Sequence, residues 1–265
     1  MEKEYIQLNG KQIALVDTKV GEDIVFVLHG WGAMIESIMP IVNVLKDKYR
    51  VIAYDAYGHG DSDAPDEVIG GEEYMELLHA LYDYFGVASA HCVGHSFGGK
   101  TLTLFASRYP EKVKRLVLID ASGVKPKRKL SYYVKVYSFK LMKFLYRAAF
   151  FWKDKEEAMK SFYRSHGSDD YRAADGIMRK VFVKVVNENT EDVFPEIMAE
   201  TLLIWGDQDD ATPLYMAEVF EKKIPGAGLV VLEGGHYSYL DAFGQFSAVL
   251  RSFYPPRALR NHCRS

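Results

Sequence analysis

The chain has 265 residues, 48% hydrophobic and 26% charged, which suits one α/β domain with an insertion, or two small domains, around a sizeable core. A net charge of −3 gives no global reason to bind nucleic acid, and no run of 18 uncharged apolar residues is present to span a membrane. Cys92 sits in an apolar run, Cys263 lies in a polar tail, and Met1-Glu2-Lys3-Glu4 opens without an apolar signal segment; the expectation is a cytoplasmic protein without a disulfide framework.

Tyr5-Ile6-Gln7-Leu8 and Ile13-Ala14-Leu15-Val16 flank Asn9-Gly10, a pair that tolerates positive φ, and so predict a hairpin. Ile24 to Leu28 is continuously apolar, as a strand buried on both faces must be. It runs into His29-Gly30-Trp31-Gly32. A helix is predicted over Ile35 to Lys48, a strand over Arg50 to Tyr54, and then a glycine-punctuated loop from Asp55 to Ser62. A helix from Glu72 to Phe85 precedes an apolar strand around Cys92. Gly94-His95-Ser96-Phe97-Gly98-Gly99 follows, then a helix from Lys100 to Tyr109 and a buried strand from Val113 to Ile119 that ends at Asp120. Alternation of this kind means a parallel, doubly wound sheet.

The alternation stops between Gly123 and Glu196. It resumes with a strand at Thr201 to Trp205, a helix at Pro213 to Lys223, a strand at Leu229 to Leu232 and a last helix from Tyr237 to Phe253. The expected organisation is therefore a core over 1–122 and 197–255, a helical insertion over 123–196, and a disordered tail over 256–265. Ligands bind outside the carboxyl ends of such strands, so an insertion leaving a strand end can fold over them as a lid.

Gly-x-Ser-x-Gly between a strand and a helix has a physical meaning. A sharp turn leaves no room beside it, so glycines flank a central residue held in a strained conformation with its hydroxyl out of the sheet. Ser96 also lies at a helix N-terminus, where unpaired N–H groups favour an oxyanion. A serine needs a base, and the base needs orienting. Of eight histidines, His236 stands out, because it follows Glu233-Gly234-Gly235 directly after an apolar strand. The loop from Trp205 to Pro213 carries Asp207, Asp209 and Asp210, and position alone does not choose among them. Phe97, directly after the serine, offers one backbone N–H for an oxyanion. No His-x-x-x-His, Cys-x-x-Cys or phosphate-loop pattern occurs, so neither metal nor cofactor is expected.

His-Gly-Trp-Gly, Asp-x-x-Gly-x-Gly-x-Ser, Gly-His-Ser-Phe-Gly-Gly, Trp-Gly-x-x-Asp-x-x-x-Pro and Gly-Gly-His occur in that order. Across nearly the whole chain outside the insertion and tail, this resembles the α/β-hydrolase family, in its serine-nucleophile branch with a helical cap. The resemblance implies a mostly parallel eight-stranded sheet and a triad of Ser96, Asp209 and His236. The spacing in relatives selects Asp209, with Asp120 as the competitor because some relatives draw their acid from that strand end. It also implies a second oxyanion donor at Trp31 and structural roles for His29 and His59. His95 directly precedes Ser96, and its side chain is expected to border the pocket. Dehalogenases and epoxide hydrolases of this scaffold carry aspartate where this chain has Ser96. One departure is Glu-Gly-Gly-His, tighter than the Gly-x-Gly-His of many relatives.

Within the insertion, Ser131 to Trp152 reads as a helix with Lys135, Lys140, Lys143 and Arg147 on one side and Tyr133, Tyr137 and Phe144 among its apolar residues. A solvated basic face is the favoured reading over contact with an anionic membrane surface. Tyr171 to Lys180 also reads as helical. Trp31, Phe97, Tyr237 and Tyr137 point to a small or medium apolar acyl group. The expected substrate is a small-molecule carboxylic ester. The alternatives are carbon–carbon bond or lactone hydrolysis or peracid formation on the same triad, and a slow-turnover signalling receptor.

Overall fold

A computed structural model describes residues 1–127, 137, 138, 140–142, 144, 145 and 176–254. The predicted tail over 256–265, and most of the Ser131 to Trp152 helix, lie outside the described residues.

Strands β1 (Glu4–Leu8) and β2 (Lys11–Asp17) form the predicted hairpin, with Asn9 at φ 52 and Gly10 at φ 75, the positive values its two-residue turn requires. Then come β3 (Ile24–Leu28), α1 (Ile35–Leu45), β4 (Arg50–Tyr54), α2 (Gly71–Tyr84), β5 (Ala90–His95), α3 (Phe97–Arg108) and β6 (Val113–Ile119). The segment expected as an insertion holds α4 (Gly176–Asn187), and after it follow β7 (Glu200–Gly206), α5 (Leu214–Lys223), β8 (Gly228–Leu232), α6 (Ser238–Asp241) and α7 (Phe243–Phe253). The eight strands form one sheet in the order β1-β2-β4-β3-β5-β6-β7-β8. β1 with β2 and β2 with β4 are antiparallel, and every other pair is parallel.

The apolar runs are apolar because both faces of the sheet are covered. Side chains alternate along a strand, so Phe26 and Leu28 pack into the layer of α2, α3 and α5, while Val25 and Val27 pack against α1 and α7. Val93, Val117 and Ile204 continue the second layer, and Cys92, Leu116 and Leu203 the first.

Several predicted boundaries shift. The first helix ends at Leu45 rather than Lys48. The helix after Ser96 begins at Phe97, three residues earlier than predicted. The last helix is interrupted at Ala242, whose ψ of 44 leaves the helical region. Just before the break, Asp241 turns its carboxylate back to accept the Gly235 N–H at 2.8 Å, tying the first turn to the His236 loop.

The end of the insertion is part of the core. Val181 and Val185 of α4 and Phe194 are buried with the residues of α2 and α3, and the Thr190 N–H donates to the Gly123 carbonyl at 2.9 Å. Among the described residues, no helix is long and apolar enough to cross a membrane.

Candidate active site

The sheet ladder continues one residue past the strands and lines up their loops. Ser96 N–H donates to Ile119 O at 2.9 Å, Asp120 N–H to Ile204 O at 3.0 Å and Asp207 N–H to Leu232 O at 2.9 Å. Four loops thus start side by side at the carboxyl edge, carrying Ser96, Asp120, Asp209 and His236.

Ser96 has φ 50 and ψ −111, a conformation that a residue with a Cβ adopts at a cost of about 1–3 kcal/mol. The glycines around it are there for space. A Cβ on Gly94 would lie 2.6 Å from the Gly98 backbone, and one on Gly98 would lie 2.5 Å from Leu28 O. The tight passage presses the end of β3 against the start of α3.

Three side chains converge from separate loops. His236 Nε2 lies 2.9 Å from Ser96 Oγ, and His236 Nδ1 lies 2.8 Å from Asp209 Oδ2. A carboxylate only accepts, so Nδ1 carries the proton and Nε2 is left to accept from the serine hydroxyl. Asp209 is buried, which raises its pKa, but hydrogen bonds from His236 and Thr212 outweigh burial and hold it below the usual carboxylate value. Its Oδ1 accepts the N–H groups of Ala211 and Thr212, each at 2.8 Å. Thr212 Oγ1 lies 2.6 Å from Asp209 Oδ2 and 3.0 Å from the Asp120 carbonyl. A hydroxyl has one proton to give, and the carboxylate is the nearer acceptor.

Asp120, the competing acid, points elsewhere. Its Oδ1 accepts the Gly206 N–H at 2.8 Å, and its Oδ2 accepts the Ser238 N–H at 3.0 Å and hydroxyl at 2.7 Å. It ties the loop bearing Asp209 to the loop bearing His236. Burial pushes its carboxyl up to about 7 against the pull of those donors. Asp207 accepts from the Gly234 N–H at 3.0 Å and braces the histidine loop from outside.

Phe97 opens α3, so its N–H has no acceptor within the helix. The Trp31 ring stands edge-on to the Phe97 ring with centroids 5.4 Å apart. His29 holds this loop: its Nε2 accepts the Ala56 N–H at 3.1 Å, so its Nδ1 donates to Gly30 O at 2.7 Å, and burial lowers its pKa to about 4. His59 is buried, bonds the Tyr57 carbonyl and supports Trp31 with ring centroids 4.7 Å apart.

His95 is buried, 1% exposed. Its Nε2 donates to the His236 carbonyl at 2.7 Å, and burial pushes its pKa down to about 3. Tyr237 is 43% exposed, with its ring centroid 5.8 Å from that of His236. Tyr137 is exposed and helical, and no contact among the described residues joins it to Ser96, His236 or Trp31. Cys92 is a buried free thiol, pushed by burial up to about 12. No group of three or more His, Cys, Asp or Glu among the described residues is arranged to hold a metal.

Sequence reasoning missed Thr212 and Lys100, and it did not name Met178 and Phe182 as the residues by which the insertion approaches the site. Phe182 of α4 lies 5.4 Å from Trp31, ring to ring. A Cβ on Gly58 would lie 2.3 Å from the Met178 sulfur, so α4 also rests on the loop of His59.

A serine, a histidine and a carboxylate in linear contact on the carboxyl edge of a doubly wound sheet define a class of site. The alpha/beta hydrolase fold family matches residues 23–147 and 138–243, and the chain belongs to that family. It is 23% identical over 255 residues to Lipase 1 of Psychrobacter immobilis, covering 92% of this chain and 80% of that one. It is 26% identical over 264 residues to the 2-hydroxy-6-oxononadienedioate/2-hydroxy-6-oxononatrienedioate hydrolase of Escherichia coli, covering 86% of this chain and 87% of that one. Among solved structures, the enol-lactonase from Burkholderia xenovorans LB400 shares the fold with a TM-score of 0.73 at 21% identity, covering 95% of this chain and 99% of the other.

Proposed function

We propose that the protein is a serine hydrolase acting on carboxylic esters of a small or medium apolar acyl group. The observation that carries this is the unbroken contact from Asp209 through His236 to Ser96, at 2.8 and 2.9 Å. His236 Nε2 takes the hydroxyl proton as Ser96 Oγ attacks the ester carbonyl. The carbonyl oxygen becomes an anion held by the N–H groups of Trp31 and Phe97. Collapse breaks the bond to the alkoxide, which leaves as an alcohol with the proton from His236. Water then gives a proton to His236 and attacks the acyl-serine. The second anion collapses, Ser96 regains its proton and the acid departs. Asp209 stays ionised and stabilises the imidazolium in both halves.

Apolar rings about the site, Trp31, Phe97 and Phe182, support an apolar acyl group. A second reading places the same triad on a carbon–carbon bond or a lactone, and the 26% identical carbon–carbon hydrolase relative over 86% of this chain favours keeping it in the test. The test is turnover of p-nitrophenyl esters of increasing acyl length, wild type beside Ser96→Ala. An ester hydrolase gives fast turnover with an optimum length, and Ser96→Ala loses about four orders of magnitude or more in kcat while keeping the fold. Weak turnover of every ester beside rapid cleavage of a vinylogous diketone or a lactone decides for the second reading.

A further inference from the structure

Lys100 is an anomaly in the core. It lies one turn after Ser96 on α3, is 3% exposed and is surrounded by buried neighbours. A buried ammonium costs several kcal/mol unless its protons find partners. Its partners all belong to the insertion. Nζ donates to Val185 O at 2.5 Å and to Glu188 O at 2.8 Å, the carbonyls at and just beyond the end of α4. A helix C-terminus carries carbonyls short of partners and partial negative charge, so a cation there suits both; Val185 O also accepts the Glu188 N–H at 3.2 Å. The Glu188 carboxylate completes the junction from the other side: its Oε2 accepts the Gly71 N–H at 2.8 Å, at the positive end of α2. Three helices thus meet at one electrostatic node, of which Lys100 is the cation.

The node fixes more than its own end. Met178, Phe182 and Val185 lie along one stripe of α4, three and four residues apart. Val185 is held at the node, Phe182 rests on Trp31 and Met178 rests on Gly58. A slide or rotation of α4 moves the Phe182 ring relative to the loop that supplies the oxyanion donor.

We propose that Lys100 is a positioning residue that locks α4 by its terminal carbonyls and, through Phe182, sets which acyl groups the site accepts. The selectivity half rests on the ester hydrolase function proposed above; the locking half does not. A methionine at this position fills the same apolar space without the cost of a buried charge, so the charge is accounted for by what it holds. Burial also lowers the Lys100 pKa to about 8, with Glu188 opposing the shift. The other charges flanking the node are Lys184 of α4 and Glu73 of α2, whose side chains lie 3.9 Å apart. Loss of the Lys100 proton removes the cation and leaves the α4 carbonyls with a neutral donor, so the lock weakens as pH rises through about 8.

The test uses Lys100→Met and Lys100→Arg in the full chain, with two readouts. The first is amide hydrogen exchange across residues 177–188. The second is the ratio of kcat/KM for p-nitrophenyl hexanoate to that for the acetate, in which the serine chemistry cancels. Lys100→Met should speed exchange of α4 about tenfold. It should shift the hexanoate-to-acetate ratio about tenfold, with acetate turnover within about threefold of wild type. Lys100→Arg, which keeps the charge and the donors, should stay near wild type in both. In the wild type the ratio should drift toward the Met value above about pH 8, and in Lys100→Arg it should stay flat, because a guanidinium keeps its proton. Wild-type exchange and ratio in a folded Lys100→Met protein would overturn the proposal, as would equal losses on both esters. Should Lys100→Met not fold, Phe182→Ala tests the same path from α4 to the site: an unchanged hexanoate-to-acetate ratio in that variant overturns the proposal. If no ester is turned over at all, the ester hydrolase function fails, and hydrogen exchange alone decides whether Lys100 locks α4.

Discussion

Asp209 and Asp120 are both buried carboxylates within one network, yet their surroundings give them opposite chemistry. Asp209 meets the His236 Nδ1–H at 2.8 Å and is held ionised, so Asp209→Asn should favour the wrong histidine tautomer and cost about four orders of magnitude in kcat. Among the described residues, Asp120 bonds to no histidine nitrogen; it joins Gly206 to Ser238. Asp120→Asn should therefore cost much less in rate, and a larger loss than that of Asp209→Asn would reverse the two roles. Its effect belongs to stability. The native pKa of Asp120, about 7, lies above its ordinary value of 3.8, so the unfolded chain releases this proton while the native chain keeps it. The stability it contributes is complete below 3.8 and is lost as pH rises through about 7. Melting temperatures of wild type and Asp120→Asn across that window should converge or cross as pH rises, whereas a constant difference would contradict the raised pKa. Ser96 and His236 were legible because their turn chemistry and strand-end positions are local. Thr212 was not, because a threonine next to a proline gives no sign that its hydroxyl reaches a carboxylate three residues back.

At the scale of elements, the strand-turn-helix around Ser96 works through absent side chains. A Cβ on Gly98 would meet Leu28 O at 2.5 Å, and backbone cannot step aside cheaply. Gly98→Ala should destabilise the fold by about 1–3 kcal/mol in denaturant titrations and lower kcat by moving the Phe97 N–H. An alanine variant with unchanged stability and rate would mean that the passage is looser than these distances. Helix periodicity identified α2, α3 and α5 within a residue or three of their ends. It joined α6 and α7 into one helix, because the Asp241 contact to Gly235 that accompanies the break is made between a helix end and a loop, not within a periodic pattern. Likewise Tyr171 to Lys180 reads as helical in the sequence, and the described residues show a helix from Gly176 to Asn187. The pattern did not reveal that Lys100 and Gly71 hold its far end.

Across the whole molecule, the parallel sense of most of the sheet and the placement of the site at its carboxyl edge follow from the alternation of buried strands with helices, which the sequence displays outside 123–196; the strand order does not. Parallel strands put all their carboxyl ends on one edge, and the right-handed crossovers bring distant loops together there. Ser96 and His236 are 140 residues apart in the chain and 2.9 Å apart in space for that reason. The central claim is that Ser96 is a nucleophile activated by this contact. The most direct measurement is mass spectrometry of the protein after treatment with a small alkyl fluorophosphonate, which needs no knowledge of the natural substrate. We predict one adduct per chain, mapped to Ser96, absent in Ser96→Ala and greatly slowed in His236→Ala. A folded protein that stays unlabelled, or that carries its adduct on another residue, would contradict the claim.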